Sequence, residues 1–132
     1  MTMKILLAED DFSTRKFMQK CLSKYGDCDV TVDGMEAMEA YRFGLEEEEP
    51  YDLVCLDVMM PVLDGYQALK GIRDIEKEKE LDKTKISKIV MVTALNDKRN
   101  AKKAFDLGCD AFSGKPFDPK KFEETLNELG LL

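Results

Sequence analysis

Six residues carry most of the chemistry open to this chain. Glu9, Asp10 and Asp11 stand together, and Asp57, Thr93 and Lys115 follow at wide intervals. Carboxylates crowded into one site repel one another unless a divalent cation or a lysine neutralises them. An all-oxygen donor set of this kind suits magnesium, with manganese a second possibility. An aspartate held there can attack phosphorus and form an acyl phosphate. A lysine and a hydroxyl would then bind the phosphoryl oxygens, since phosphoryl transfer is mostly a matter of positioning and charge stabilisation.

Composition removes the main competitors. The chain has 132 residues, 20 Lys+Arg against 27 Asp+Glu, and no histidine. Without imidazole there is no Ser-His-Asp or Cys-His catalysis and no histidine-based zinc site. A net charge of −7 argues against nucleic acid or an anionic membrane as partner. No apolar run approaches the roughly 20 residues of a membrane span, and the N-terminus lacks a signal-peptide pattern, so a cytoplasmic location is expected. Cys21, Cys28, Cys55 and Cys109 form no C-x-x-C pair and read as reduced, buried side chains. Cys109, beside Gly108, is the one expected to be most exposed.

The elements that must position the six residues alternate along the chain. Ile5 to Ala8, Val30 to Val32, Leu53 to Leu56, Ile89 to Val92 and Ala111 to Ser113 read as short buried strands. Between them run helix-period stripes, the first comprising Phe17, Met18, Cys21, Leu22 and Tyr25. Asp33 with Glu36, and Asp118 with Pro119, look like helix starts. Five β–α units predict an α/β fold, a five-stranded parallel sheet with helices on both faces. Right-handed crossovers leave the flavodoxin-like order 2-1-3-4-5 as the leading layout, within a single domain over residues 1–132. In such sheets ligands gather beyond the carboxyl ends of the strands, where all six residues fall. Two charged segments, Glu46 to Pro50 and Glu76 to Lys85, read as solvated helix ends and loops.

The segments KILLAEDD, LDVMMPVLDG, VMVTA and GKPF resemble the receiver domains of bacterial two-component response regulators. Asp57 to Gly65 fits that family's D-x-x-M-P-x-x-D-G pattern. The resemblance implies that Asp57 is the phospho-acceptor, and that Glu9 and Asp10 hold Mg2+ with the backbone carbonyl of Met59. It makes Thr93 the switch hydroxyl, Phe112 the switch aromatic, and Lys115 the lysine preceding a cis Pro116. Pairing Asp10 with Asp11 is the alternative register for the acids. The Glu9/Asp10 pair is favoured because it aligns Arg15 with the basic residue of the family's first helix. The implied partners are a histidine kinase or histidine phosphotransfer protein as donor and a downstream effector protein, with the chain a monomer or weak homodimer. A stand-alone switch with no output domain and no turnover of an external substrate is expected.

Two other functions fit the same scaffold. An Asp-nucleophile phosphatase would carry a second Asp two residues after the nucleophile, where Met59 stands. A phosphorylation-independent interaction module would not need Asp10, Asp57 and Lys115 intact. Three departures from the family pattern are also notable. Phe112 replaces a frequent tyrosine, while Met59 and Leu95 put apolar bulk where dephosphorylation is tuned, which would lengthen the life of the phosphoryl group.

Overall fold

A computed structural model describes residues 2–95 and 98–132. Strands and helices alternate as β1 (Met3–Ala8), α1 (Phe12–Leu22), β2 (Gly26–Thr31), α2 (Gly34–Glu46), β3 (Leu53–Leu56), α3 (Gly65–Glu78), β4 (Lys88–Thr93), α4 (Lys98–Asp106), β5 (Ala111–Gly114) and α5 (Pro119–Glu128). All four ladders are parallel, in the expected order β2-β1-β3-β4-β5. The central strands are apolar on both faces because each face is covered. Ile5, Leu7, Leu53 and Val90 pack with Met18, Leu22, Phe122 and Leu126 of α1 and α5. The alternate residues Leu6, Val54, Leu56 and Ile89 pack with Ala37, Tyr41, Leu69 and Ile72 of α2 and α3.

Among the described residues, aspartates cap four helices. Asp11, Asp33, Asp64 and Asp118 each accept a backbone N–H from the first turn. Such caps contribute about 1 kcal/mol apiece. Asp64 and Gln67 form a reciprocal capping box. Gly65 follows because its Cβ would lie 2.1 Å from the Asp57 carbonyl oxygen. That glycine lets α3 begin directly against the end of β3. Among the described residues no helix is long and apolar enough to cross a membrane.

Four local expectations are corrected. β2 ends at Thr31, leaving Val32 outside it, and both Val30 and Val32 are exposed because β2 is an edge strand. α1 stops at Leu22, so Tyr25 lies beyond it, and Phe17 turns to solvent while Met18 and Leu22 are buried. Cys109 is buried against the α3 face of the sheet, and loss of solvent raises its thiol pKa to about 11. Glu76 is no solvated helix end but lies buried in a polar network.

That network closes the amino-terminal end of the sheet. Glu76 Oε2 accepts from Tyr41 Oη at 2.5 Å and from the Ser87 amide at 2.9 Å, and Arg73 Nη1 meets Oε1 at 2.7 Å. Arg73 also donates to the Gly108 carbonyl at 2.9 Å and to Asp110 Oδ2 at 2.8 Å, joining α3 to the start of β5. Ser87 Oγ donates to the Tyr51 carbonyl. Every charge there has a counter-charge and fixed donors, which is what makes burial tolerable.

The β3–α3 loop bends through Val62 at φ 69°, and this β-branched side chain is largely exposed. A left-handed backbone costs a residue with a Cβ roughly 1–2 kcal/mol, and β-branching makes it worse. Val62→Gly is therefore expected to raise the urea midpoint, stabilising the protein by about 0.5–1 kcal/mol after the extra flexibility of the unfolded chain is offset. An unchanged or lowered midpoint would show that the loop holds Val62 without strain.

Candidate functional site

The ends of β1, β3, β4 and β5 deliver the candidate residues to one edge. Backbone bonds extend each ladder one residue further: Asp57 N–H donates to the Ala8 carbonyl at 3.1 Å and Lys115 N–H to the Thr93 carbonyl at 2.9 Å. Glu9 and Asp57 are thereby buried side by side, while Asp10 is exposed at the rim. Carboxylate oxygens of Glu9, Asp10 and Asp57 come within 4.8 Å of one another. Both acids of the favoured register, Glu9 and Asp10, lie in this cluster. Asp11 points elsewhere, accepting from the Thr14 amide and hydroxyl at 2.9 and 2.7 Å as the cap of α1.

Lys115 bridges the two buried acids. Its Nζ lies 2.7 Å from Glu9 Oε1 and 3.1 Å from Asp57 Oδ2. The contact with Glu9 is an ion pair off hydrogen-bonding geometry, since Glu9 Oε1 takes part in no directed hydrogen bond. Burial pushes the Glu9 pKa up, and the Asp57 charge adds to that against the pull of Lys115. Burial alone would lower the Lys115 pKa, but its two carboxylate partners more than reverse this and the net direction is upward. The site holds more negative charge than its lysine can match, so it favours a cation.

Neighbouring backbone groups complete the frame. The Asp11 amide donates to Glu9 Oε2 at 3.2 Å and the Met59 amide to Asp57 Oδ1 at 3.3 Å. Arg15 Nη1 donates to the Glu9 and Asp10 carbonyls at 2.9 and 3.2 Å, tying α1 to the turn that carries both acids. The alignment of Arg15 was readable in sequence, but its grip on two carbonyls required the folded turn. Thr93 is fully buried, its Oγ1 accepting from the Leu95 amide at 3.2 Å. Phe112 is half-buried on β5, against the α3 face of the sheet. Lys115–Pro116 is cis. Met59 and Leu95 are both exposed.

The donor set fits a hard divalent cation: three carboxylates, one with a buried oxygen lacking a directed hydrogen bond, and no nitrogen or sulfur ligand. Asp57 has a lysine on one carboxylate oxygen and a backbone amide on the other, and the two contacts fix the orientation of its carboxylate.

Fold and site together define a class: a flavodoxin-like α/β domain with a lysine-bridged acid cluster at the carboxyl edge of its sheet. The chain belongs to the response regulator receiver domain family, whose model matches residues 5–127. It is 38% identical over 127 residues to the probable transcriptional regulator ycf27 of Cyanophora paradoxa, covering 96% of this chain and 47% of that protein. The chain spans about half the length of the first curated relatives it matches, 57%, 47% and 43%. Among solved structures, the receiver domain of the Arabidopsis thaliana histidine kinase CKI1, complexed with Mg2+, is 26% identical with a TM-score of 0.84, over 96% of this chain and 91% of that one. The Saccharomyces cerevisiae complex of the histidine phosphotransfer protein Ypd1 with the receiver domain of Ssk1 gives 26% identity and a TM-score of 0.82, over 98% and 89%. A receiver domain is a phosphorylation-activated switch of two-component signalling, and this chain is one.

Removing the bridging cation tests the electrostatics. Lys115→Met leaves Glu9 and Asp57 buried without a counter-charge and should cost about 3 kcal/mol in urea unfolding at pH 7. Because the Glu9 pKa is already raised, it takes up a proton as pH falls, so the deficit should shrink toward pH 5. A deficit that is constant with pH would place the effect in packing rather than charge.

Proposed function

We propose that Asp57 accepts a phosphoryl group from a phosphohistidine protein, assisted by Mg2+ held by Glu9, Asp10, Asp57 and the backbone carbonyl of Met59. The observation that carries this is the bridge from Lys115 Nζ to both Asp57 and Glu9. In the transfer a carboxylate oxygen of Asp57 attacks phosphorus, the new O–P bond forms, and the donor's N–P bond breaks. The leaving imidazole keeps that electron pair. Magnesium would neutralise the acids and the transferring oxygens. Lys115 then shifts its contact from carboxylate to phosphoryl oxygen. The Thr93 hydroxyl, which here accepts from Leu95, turns to donate to another phosphoryl oxygen.

Moving Thr93 draws on β4, whose Met91 pairs with Phe112 on β5, and so links the site to the sheet's far edge. Phe112 turns inward as Thr93 moves, and the altered surface is what a downstream effector protein reads. The change is a population shift, driven by the greater affinity of one conformation for the phosphoryl group. Because Phe112 has no phenolic hydroxyl, packing alone reports the state. The donor is a histidine kinase or histidine phosphotransfer protein. A cavity beside the site, lined by Thr14, Phe17, Lys115 and Phe117, with Phe12 exposed nearby, supports apolar docking of that protein. The chain phosphorylates and dephosphorylates itself and turns over no external substrate.

Incubation with acetyl phosphate and Mg2+ should add one phosphoryl group by intact mass to the wild type and none to Asp57→Asn. Equal gain by the mutant would move the acceptor elsewhere, and no gain by the wild type would defeat the proposal. Met59 and Leu95 shield the attacking water, so Met59→Asn with Leu95→Ser should speed loss of the phosphoryl group by about tenfold, equivalent to about 1.4 kcal/mol of barrier. An unchanged decay in a mobility-shift time course would remove the shielding role.

A further inference from the structure

The charged segments unused by the phosphoryl site meet at the opposite end of the sheet. Residues 48–52, after α2, and 81–88, between α3 and β4, wall a cavity of about 660 Å³. That lies inside the roughly 300–1,000 Å³ range of small-molecule sites. Its apolar wall comprises Leu45, Tyr51, Leu81, Ile86 and Leu131, with Ile86 38% exposed. Lys83, Lys85 and Lys88 stand on the same cavity, and none of them is in an ion pair among the described residues. Two acids also line it. Asp52 is occupied, its Oδ2 accepting from the Lys4 amide at 2.8 Å, while Glu48 stays in solvent.

The floor is preformed. Tyr51 is buried, its hydroxyl donates to Asp29 Oδ2 at 2.7 Å, and its carbonyl accepts from Ser87 Oγ. A fixed apolar wall beside three unpaired cations is an exception in a chain of net charge −7. Lysines without the apolar wall would gather only loose counter-ions, and the wall without lysines would not discriminate among apolar molecules. We propose that this cavity binds a small amphipathic anion, its apolar body against Leu45, Tyr51, Leu81 and Ile86. Its carboxylate or phosphate head meets Lys83, Lys85 and Lys88.

The test is an amide-resolved NMR titration of the whole chain with 2-naphthoate, 2-naphthyl phosphate and decanoate. Comparators are 2-naphthylmethanol and inorganic phosphate. Saturable shifts concentrated in residues 45–52 and 81–88 are expected with the anionic probes. The alcohol should bind at least about tenfold more weakly, and inorganic phosphate should leave the apolar wall unmoved. Lys83 and Lys85 are exposed, so K83E/K85E should keep the rest of the spectrum while losing about tenfold or more in affinity. Failure of all three anionic probes to saturate there, equal binding of the alcohol, or unchanged affinity in K83E/K85E would each overturn the proposal. None of these readouts uses Asp57, so the result is independent of the phosphoryl-transfer reading.

Discussion

Two buried carboxylates on neighbouring strand ends set the terms for everything else in this molecule. Glu9 is 1% exposed and Asp57 5%, and among the described residues only Lys115, from the far side of β4, forms an ion pair with them. Moving ionised carboxylates out of water costs several kcal/mol each, so the sheet must be stable enough to hold them there. It is, because its three inner strands are apolar on both faces and covered by five helices. The arrangement leaves negative charge in excess, a donor set that suits a divalent cation.

The two ends of the sheet treat buried charge in opposite ways. At the amino end, Arg73 pairs with both Glu76 and Asp110, while Tyr41 and Ser87 fill the remaining positions around Glu76. Glu76 itself is left with no open position for a ligand. At the carboxyl end, Glu9 Oε1 has an ion pair but no directed hydrogen bond, and Asp10 projects to the rim. A saturated network favours one conformation, whereas an incomplete one responds to what binds. A switch needs both: a fixed base and a responsive edge joined by the same strands.

Much of this was legible in the chain itself. Apolar runs separated by helical stripes led to five β–α units, because periodicity directly reflects which faces are covered; the flavodoxin-like layout expected for such units is the observed order. Aspartate before a helix marked Asp33 and Asp118 as caps, a local interaction within four residues. Less legible were residues whose environment is made by distant segments. Glu76 looked like part of a charged loop, yet Tyr41, Arg73 and Ser87 enclose it. Cys109 followed a glycine and looked exposed, yet packing from the α3 side buries it. Phe17 had helix-stripe spacing but lies just outside the arc that the sheet covers.

The sequence by itself determined the donor types, the absence of imidazole chemistry, the alternation of strands and helices and the set of residues at the strands' carboxyl ends. These follow from composition and short-range periodicity, which a linear chain records. Tertiary structure alone decided that Lys115 reaches Glu9 as well as Asp57, that Arg15 grips the Glu9 and Asp10 carbonyls, and that two charged segments share a cavity with Tyr51. Those outcomes depend on how strands pair and helices seat, and charges distant in sequence acquire an energy only once the fold sets the distance between them.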